Sequence, residues 1–190
     1  MDPVGRPLEP VDAAAGLRHA SVELFVTSAW ADHHAEVYAF LVRTTRDPGV
    51  AEDLVQEAFL RLTREVSSRR EPTNVRAWLY RVASNLAVSR GRRLSSALRG
   101  LVRMGASSSS TDTADVPEAG YLRREGRAEL MTAIERLSAD ARAALLLSSE
   151  GFSGAEIATA IGRSELATRA LLCRTRIKVR HDLESAEQAR

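Results

Sequence analysis

Between Val50 and Val66 the apolar residues Val50, Ala51, Leu54, Val55, Ala58, Leu62 and Val66 recur at spacings of three and four. Such positions share one side of a chain only when it winds at 3.6 residues per turn, so this segment is predicted to be helical. The opposite side carries Glu52, Asp53, Gln56, Glu57 and Arg61, while Phe59 and Leu60 fall at the edge of the stripe and hint at a second apolar contact. Asp47-Pro48 just before it reads as a helix start. The Asp side chain can accept from first-turn amides, and a Pro in that turn gives up no hydrogen bond.

The same period organises most of the chain. A first helix is predicted from Leu17 or Ser21 to Thr45, with Leu24, Phe25, Val37, Phe40 and Leu41 inside. A polar loop, Ser67 to Pro72, leads to a helix starting at Thr73 or Asn74, with Val75, Trp78, Leu79, Val82 and Leu86 as its buried stripe. After Gly91 the pattern decays, and Ser107 to Ser110 reads as flexible linker. It restarts near Tyr121 with Leu130, Met131, Ile134 and Leu137, then again at Ser138 with Ala143, Leu146 and Leu147, stopping at Gly151. Ser153 to Glu156 is a capping box, Gly162 a turn, and Ser164 the cap of a last helix whose inner face is predicted to be Leu166, Ala170, Cys173 and Ile177. A short helix, a Gly turn and a basic helix spell helix-turn-helix. No strand candidate survives. The chain is predicted all-α: two small helical domains, 17–96 and 121–182, joined by a flexible acidic linker, 97–120.

Aromatics make up only 5% of the chain, which suits Leu-, Val- and Ala-rich helix packing better than a β-sandwich. The lone Cys173 excludes an internal disulfide and any multi-cysteine metal site. No apolar run approaches the roughly 20 residues of a membrane span. Met1 to Gly16 lacks the basic start and apolar block of a signal peptide, so a cytoplasmic chain is expected. Net charge is only +2, but it is unevenly spread: residues 21–60 carry −5, 61–103 carry +9, 104–120 carry −3 and 163–180 carry +5. Two separated basic blocks point to two polyanion-facing patches.

Three stretches in order then carry a resemblance. Asp47 to Leu62 (DPGVAEDLVQEAFLRL) is similar to region two of the sigma-70 family, and Trp78 to Ala87 (WLYRVASNLA) resembles that region's promoter-melting helix. Glu150 to Ala158 (EGFSGAEIA) and the helix to Arg180 resemble region four. Two regions and a short linker resemble the small extracytoplasmic-function group. The chain departs from it at Ser89, where the family usually has Asp, and at Leu137-Ser138, where it usually has Leu-Pro.

The resemblance implies a factor that brings RNA polymerase core to a promoter and helps open it. Glu52, Asp53, Gln56, Glu57, Phe59 and Leu60 would dock on the clamp helices of the largest subunit, and region four on the flap. Arg69, Arg70, Asn74, Arg76, Arg81, Asn85, Arg90, Arg92 and Arg93 would hold the minus-ten strand. Single-strand capture needs a positive groove with hydrogen-bonding or stacking groups, which these residue types supply. Trp78 sits on the apolar stripe and reads as core rather than as a stacking platform. Arg163, Ser164, Glu165, Thr168, Arg169, Leu172, Arg174, Arg176 and Lys178 would meet the minus-thirty-five duplex, Arg169 suiting guanine and Glu165 cytosine. The linker would thread towards the active centre, and an anti-sigma factor is an implied partner.

No metal or cofactor is expected: His33 and His34 lack companion ligands and read as helix-surface residues. No phosphate loop or nucleophile motif argues for an enzyme. A helix-turn-helix repressor or response-regulator output domain remains the alternative, sharing the C-terminal half but having no use for an acidic docking helix.

Overall fold

Five helix starts follow from a side chain that accepts the otherwise unpaired first-turn amides. Asp47 Oδ1 accepts from the Val50 amide at 3.0 Å, Asn74 Oδ1 from Ala77 at 2.9 Å, Ser138 Oγ from Ala141 at 3.4 Å and Ser164 Oγ from Ala167 at 3.3 Å. At Ser153 the capping box closes both ways, Ser153 N–H donating to Glu156 at 2.8 Å and the Glu156 amide to Ser153 Oγ at 3.3 Å. The computed structural model describes residues 10–103 and 121–188, with side chains over 16–96 and 128–188. Among the described residues there are seven helices and no strand: α1 (Pro10–Thr45), α2 (Pro48–Ser67), α3 (Val75–Arg103), α4 (Tyr121–Glu135), α5 (Ala139–Ser149), α6 (Gly154–Ile161) and α7 (Glu165–Gln188). No described helix is long and apolar enough to cross a membrane. Most of the predicted linker, residues 104–120, lies outside the described residues.

Helices α1 to α3 form one bundle around Val37, Phe40, Leu41, Val55, Leu62 and Leu79, all fully buried. The same apolar cluster runs on without a break into Leu147 of α5 and Ile157 and Ile161 of α6. A chain of rings marks the join: Phe40 and Tyr80 lie 5.1 Å apart between centroids, and Tyr80 and Phe152 5.2 Å. A smaller cluster of Ala133, Leu137, Ala141 and Val179 holds α4 and α7 to α5. The two halves that the sequence separates at the linker are therefore packed together.

Three expectations change. α3 does not decay after Gly91 but continues to Arg103, into the segment read as linker. The helix tolerates Gly91 because a Cβ there would come within 2.6 Å of Ala139 Cβ, so this glycine marks where α5 abuts α3. Leu24, predicted inside, is exposed. The inner face of α7 is Thr168, Leu172, Thr175 and Val179, while the predicted inner residues Leu166 and Ile177 are 75% and 60% exposed, and Ala170 and Cys173 are exposed as well. Both stripes have helical spacing. The less apolar one, Thr168, Leu172, Thr175 and Val179, is the one buried.

Arg142 ties the ends together. Its guanidinium is buried and donates to the carbonyls of Ile134 (3.1 Å), Glu135 (3.0 Å) and Leu137 (2.8 Å) at the end of α4, and to Thr44 at the end of α1. Replacing it with Leu would leave these carbonyls unsatisfied in the interior. Arg142→Leu is expected to lower stability by at least about 3 kcal/mol, read as a drop in the urea midpoint at unchanged m-value. Arg142→Lys, unable to span both helix ends, should fall between.

Candidate polymerase and nucleic-acid interfaces

On α2, Glu52, Asp53 and Gln56 are exposed on one face, with Leu60 beside them at 52% exposure. Glu57 belongs to the same face but accepts from Arg61 Nε at 2.7 Å, and that hydrogen bond holds its carboxyl below its ordinary range. Phe59 corrects the prediction: it is 4% exposed and is part of the core. It meets the edge of Trp30, whose ring centroid is 4.7 Å away. Trp30 is the exposed aromatic of this surface, and it stacks on His34 at 4.1 Å. Sequence periodicity passed over Trp30 because a lone aromatic carries no pattern of its own. His33 pairs with Glu36 at 2.8 Å, and His34 lies between Trp30 and Tyr38.

The arginines of the first basic block divide into two sets. Arg69, in the left-handed region at φ 58°, is exposed in the loop before α3, and Arg70 pairs with Glu65 at 3.4 Å. Arg81 and Arg90 are exposed with no carboxylate partner among the described residues, and Arg93 donates to the Ser89 carbonyl at 3.3 Å. That bond uses backbone, so the absence of Asp at 89 does not disturb it. Asn85 is half-buried, and Asn74 spends its carbonyl on the α3 cap. Trp78 is half-buried and packs against the core, as its stripe position predicts. By contrast, Arg76 and Arg92 are engaged internally. Arg76 donates to Glu36 at 3.0 Å and to Glu150 at 2.9 Å, and its guanidinium lies 4.8 Å from the Tyr80 ring centroid. Arg92 grips Asp140 through Nε (3.3 Å) and Nη2 (2.9 Å) and also donates to the Ile161 carbonyl at 2.9 Å.

In the helix-turn-helix, Arg163 donates to the same Asp140 at 3.0 and 2.6 Å. Ser164 caps α7 and Glu165 is exposed. Arg169 and Arg174 are exposed, Arg176 donates to Ser148 at 2.8 Å and Lys178 to Asp182 at 3.3 Å. Thr168 and Leu172 are corrections: both are buried against the core and cannot meet DNA from this packing. The outward face of α7 instead interleaves Leu166, Ala170 and Cys173 with the arginines.

Residues 29–97 match the family described as Sigma-70 region 2, and residues 127–179 match Sigma-70, region 4. The chain is 33% identical over 155 residues to the ECF RNA polymerase sigma factor SigL of Mycobacterium tuberculosis, covering 77% of this chain and 82% of that protein. The chain belongs to the sigma-70 family. Within the family it sits with the extracytoplasmic-function group. It is also 32% identical over 167 residues to SigE of Mycolicibacterium smegmatis, covering 83% of this chain and 63% of SigE. The sigma factor RpoE of Bartonella quintana, solved in complex with the anti-sigma factor NepR, shares the fold with a TM-score of 0.58 at 24% identity, covering 79% of this chain and 91% of that one.

Asp140 gives this sigma-family surface a pH dependence. Burial pushes its carboxyl up, but hydrogen bonds and charge from Arg92 and Arg163 outweigh that and hold it below its ordinary range. A carboxyl depressed in the folded state contributes stability above its unfolded pKa and loses it as pH falls through the folded one. Acid titration should therefore loosen the packing of α5 on α3. Asp140→Asn is expected to flatten the acid limb of the stability profile, measured by thermal melts across that range.

Proposed function

We propose that the chain is a sigma factor that carries RNA polymerase core to promoters, places DNA-binding surfaces on two promoter elements and aids strand opening, with no catalysis of its own. What carries the reading is the pairing, in one chain, of a region-two bundle bearing an acidic exposed face with a region-four helix-turn-helix bearing a basic one. An acidic face flanked by Leu60 and Trp30 suits a basic helical partner such as the clamp helices, since complementary charge steers encounter and the apolar edge adds burial. Region four would meet the flap. Arg69, Arg81, Arg90 and Arg93 offer the positive track for the minus-ten strand, joined by Arg76 and Arg92 when their internal partners release them. On α7, Arg169 can reach a guanine edge, and the exposed Leu166 and Ala170 can pack on thymine methyls. Such work belongs in the cytoplasm. Regulation by an anti-sigma factor is part of the same proposal, on family resemblance.

Run-off transcription with core polymerase on genomic fragments tests this directly: promoter-specific transcripts are expected, and their absence with an active core sinks it. Glu52→Lys with Asp53→Lys should weaken core affinity in a titration without changing helix content, since neither side chain is buried. Arg169→Ala should cost about 1–3 kcal/mol of base discrimination in duplex binding. Arg90→Ala with Arg93→Ala should instead impair opening, read as lost permanganate reactivity of promoter thymines at similar occupancy.

A further inference from the structure

Helices α4, α5 and α7, with Arg43 of α1, border a groove of about 830 Å³. That size falls within the roughly 300–1,000 Å³ of small-molecule sites. Its floor is apolar, built by Met131 and Ile134 of α4, Leu145 of α5, and Val179 and Leu183 of α7. The cations gather towards one end. Arg176 donates to Ser148 at 2.8 Å, which fixes it beside the end of α5. Arg43 reaches the same place from α1, since it donates at 3.2 Å to Glu150, two residues on from Ser148. Arg180, one turn beyond Arg176, lines the groove with no carboxylate partner among the described residues. Of the three guanidiniums only Arg43 meets a carboxylate, and it shares that one with Arg76. Glu184 and Glu187 also line the groove, about 12 and 17 Å further along α7 than Arg176 at about 1.5 Å per residue.

We propose that this groove binds a single-chain anionic amphiphile of the long-chain carboxylate class, its tail laid along the apolar floor and its carboxylate held by Arg176 and Arg180. An apolar trough ending in spare N–H donors has the polarity of such a molecule, one charged head on one hydrocarbon chain. A guanidinium carries five donors, and Arg176 spends its bond on a neutral hydroxyl, so it can accept a carboxylate without giving up an ion pair. The tail would take Leu130, 39% exposed, and the partly exposed Leu145 and Leu183 out of water. Glu184 and Glu187 set the direction, because they repel an anionic head from their end and leave the arginine end for it. Three guanidiniums against two carboxylates also favour an anion over a cation of the same tail. A partner helix could use the same floor, yet it would lay a row of side chains there with no need of three guanidiniums towards one end.

The experiment is isothermal titration of the full chain with laurate below its micelle threshold, with circular dichroism confirming that helix content is kept. One laurate per chain is expected. Caprate, two methylenes shorter, should bind about fivefold more weakly, because buried methylenes set the tail's share of affinity. Arg176→Gln with Arg180→Gln should weaken laurate at least about tenfold through lost charge-assisted hydrogen bonds. Arg64→Gln with Arg136→Gln removes the same charge from exposed positions outside the groove and should leave binding unchanged. Leu183→Gln, at a partly exposed position, should weaken laurate and flatten the dependence on chain length. Dodecyltrimethylammonium, the same length of tail under a cationic head, should bind at least about tenfold more weakly than laurate. Equal binding of that cation, or full laurate affinity in the Arg176 and Arg180 variant, marks a merely sticky apolar face and overturns the proposal. So does the absence of laurate binding, the result expected of a groove that seats only a protein helix. None of this binding depends on promoter recognition, so its failure leaves the sigma-factor reading intact.

Discussion

A buried cation with no carboxylate partner is an expensive thing to fold around, and the rest of this structure is arranged about one. Arg142 lies inside, hydrogen-bonded to backbone carbonyls at the ends of α1 and α4. Helix C-termini leave carbonyls unpaired and carry partial negative charge, so two such ends facing one guanidinium supply both acceptors and field. Burial lowers the Arg142 pKa to about 10, with Arg46 adding to the fall and Glu135 opposing it. That value still leaves the group charged at neutral pH. Because Thr44 belongs to the first bundle and Ile134 to the second half, the cation cannot be satisfied unless the halves are in register.

That register decides which charges are available for function. With α5 seated on α3, Asp140 and Glu150 fall among the arginines of α1, α3 and the helix-turn-helix, and several cations that would face DNA are neutralised internally. The acidic face of α2 and the outward face of α7 stay uncovered. In this packing Glu52, Asp53 and Gln56 are open to a partner, while Arg76 and Arg92 are occupied by carboxylates of the chain's own second half.

How much of this was legible in the sequence depends on whether the determinant was local. The start of α2 was, because Asp47 and Pro48 act within one turn, and so was the capping box at Ser153 and Glu156. The helical class, the helix-turn-helix and the exposure of Glu52, Asp53 and Gln56 follow from period alone. The facing of α7 was not legible. Two stripes of helical spacing coexist there, and which one faces inward is set by the packing of α7 on the other helices, which no local pattern encodes. Phe59 failed for a similar reason: an edge position is buried or exposed according to what stands opposite, here Trp30 from α1.

The contacts between the halves lay furthest from sequence reasoning, and their physics explains why. Arg76 with Glu150 and Arg92 with Asp140 join residues 74 and 48 positions apart, with no periodicity to announce them. The sequence shows only a block of positive charge, and a positive block in a DNA-binding chain invites one interpretation. Yet a guanidinium that fits a phosphate fits a carboxylate as well, and the nearest anions to a basic patch are those of its own chain. Gly91 is the one mark left in the sequence, a helix-weakening residue costing about 0.5–1 kcal/mol relative to Ala in mid-helix. A glycine where the helix would gain from a side chain, in a helix that nonetheless continues, argues that something must come close. In this chain what comes close is Ala139, one residue from the carboxylate that holds the arginines.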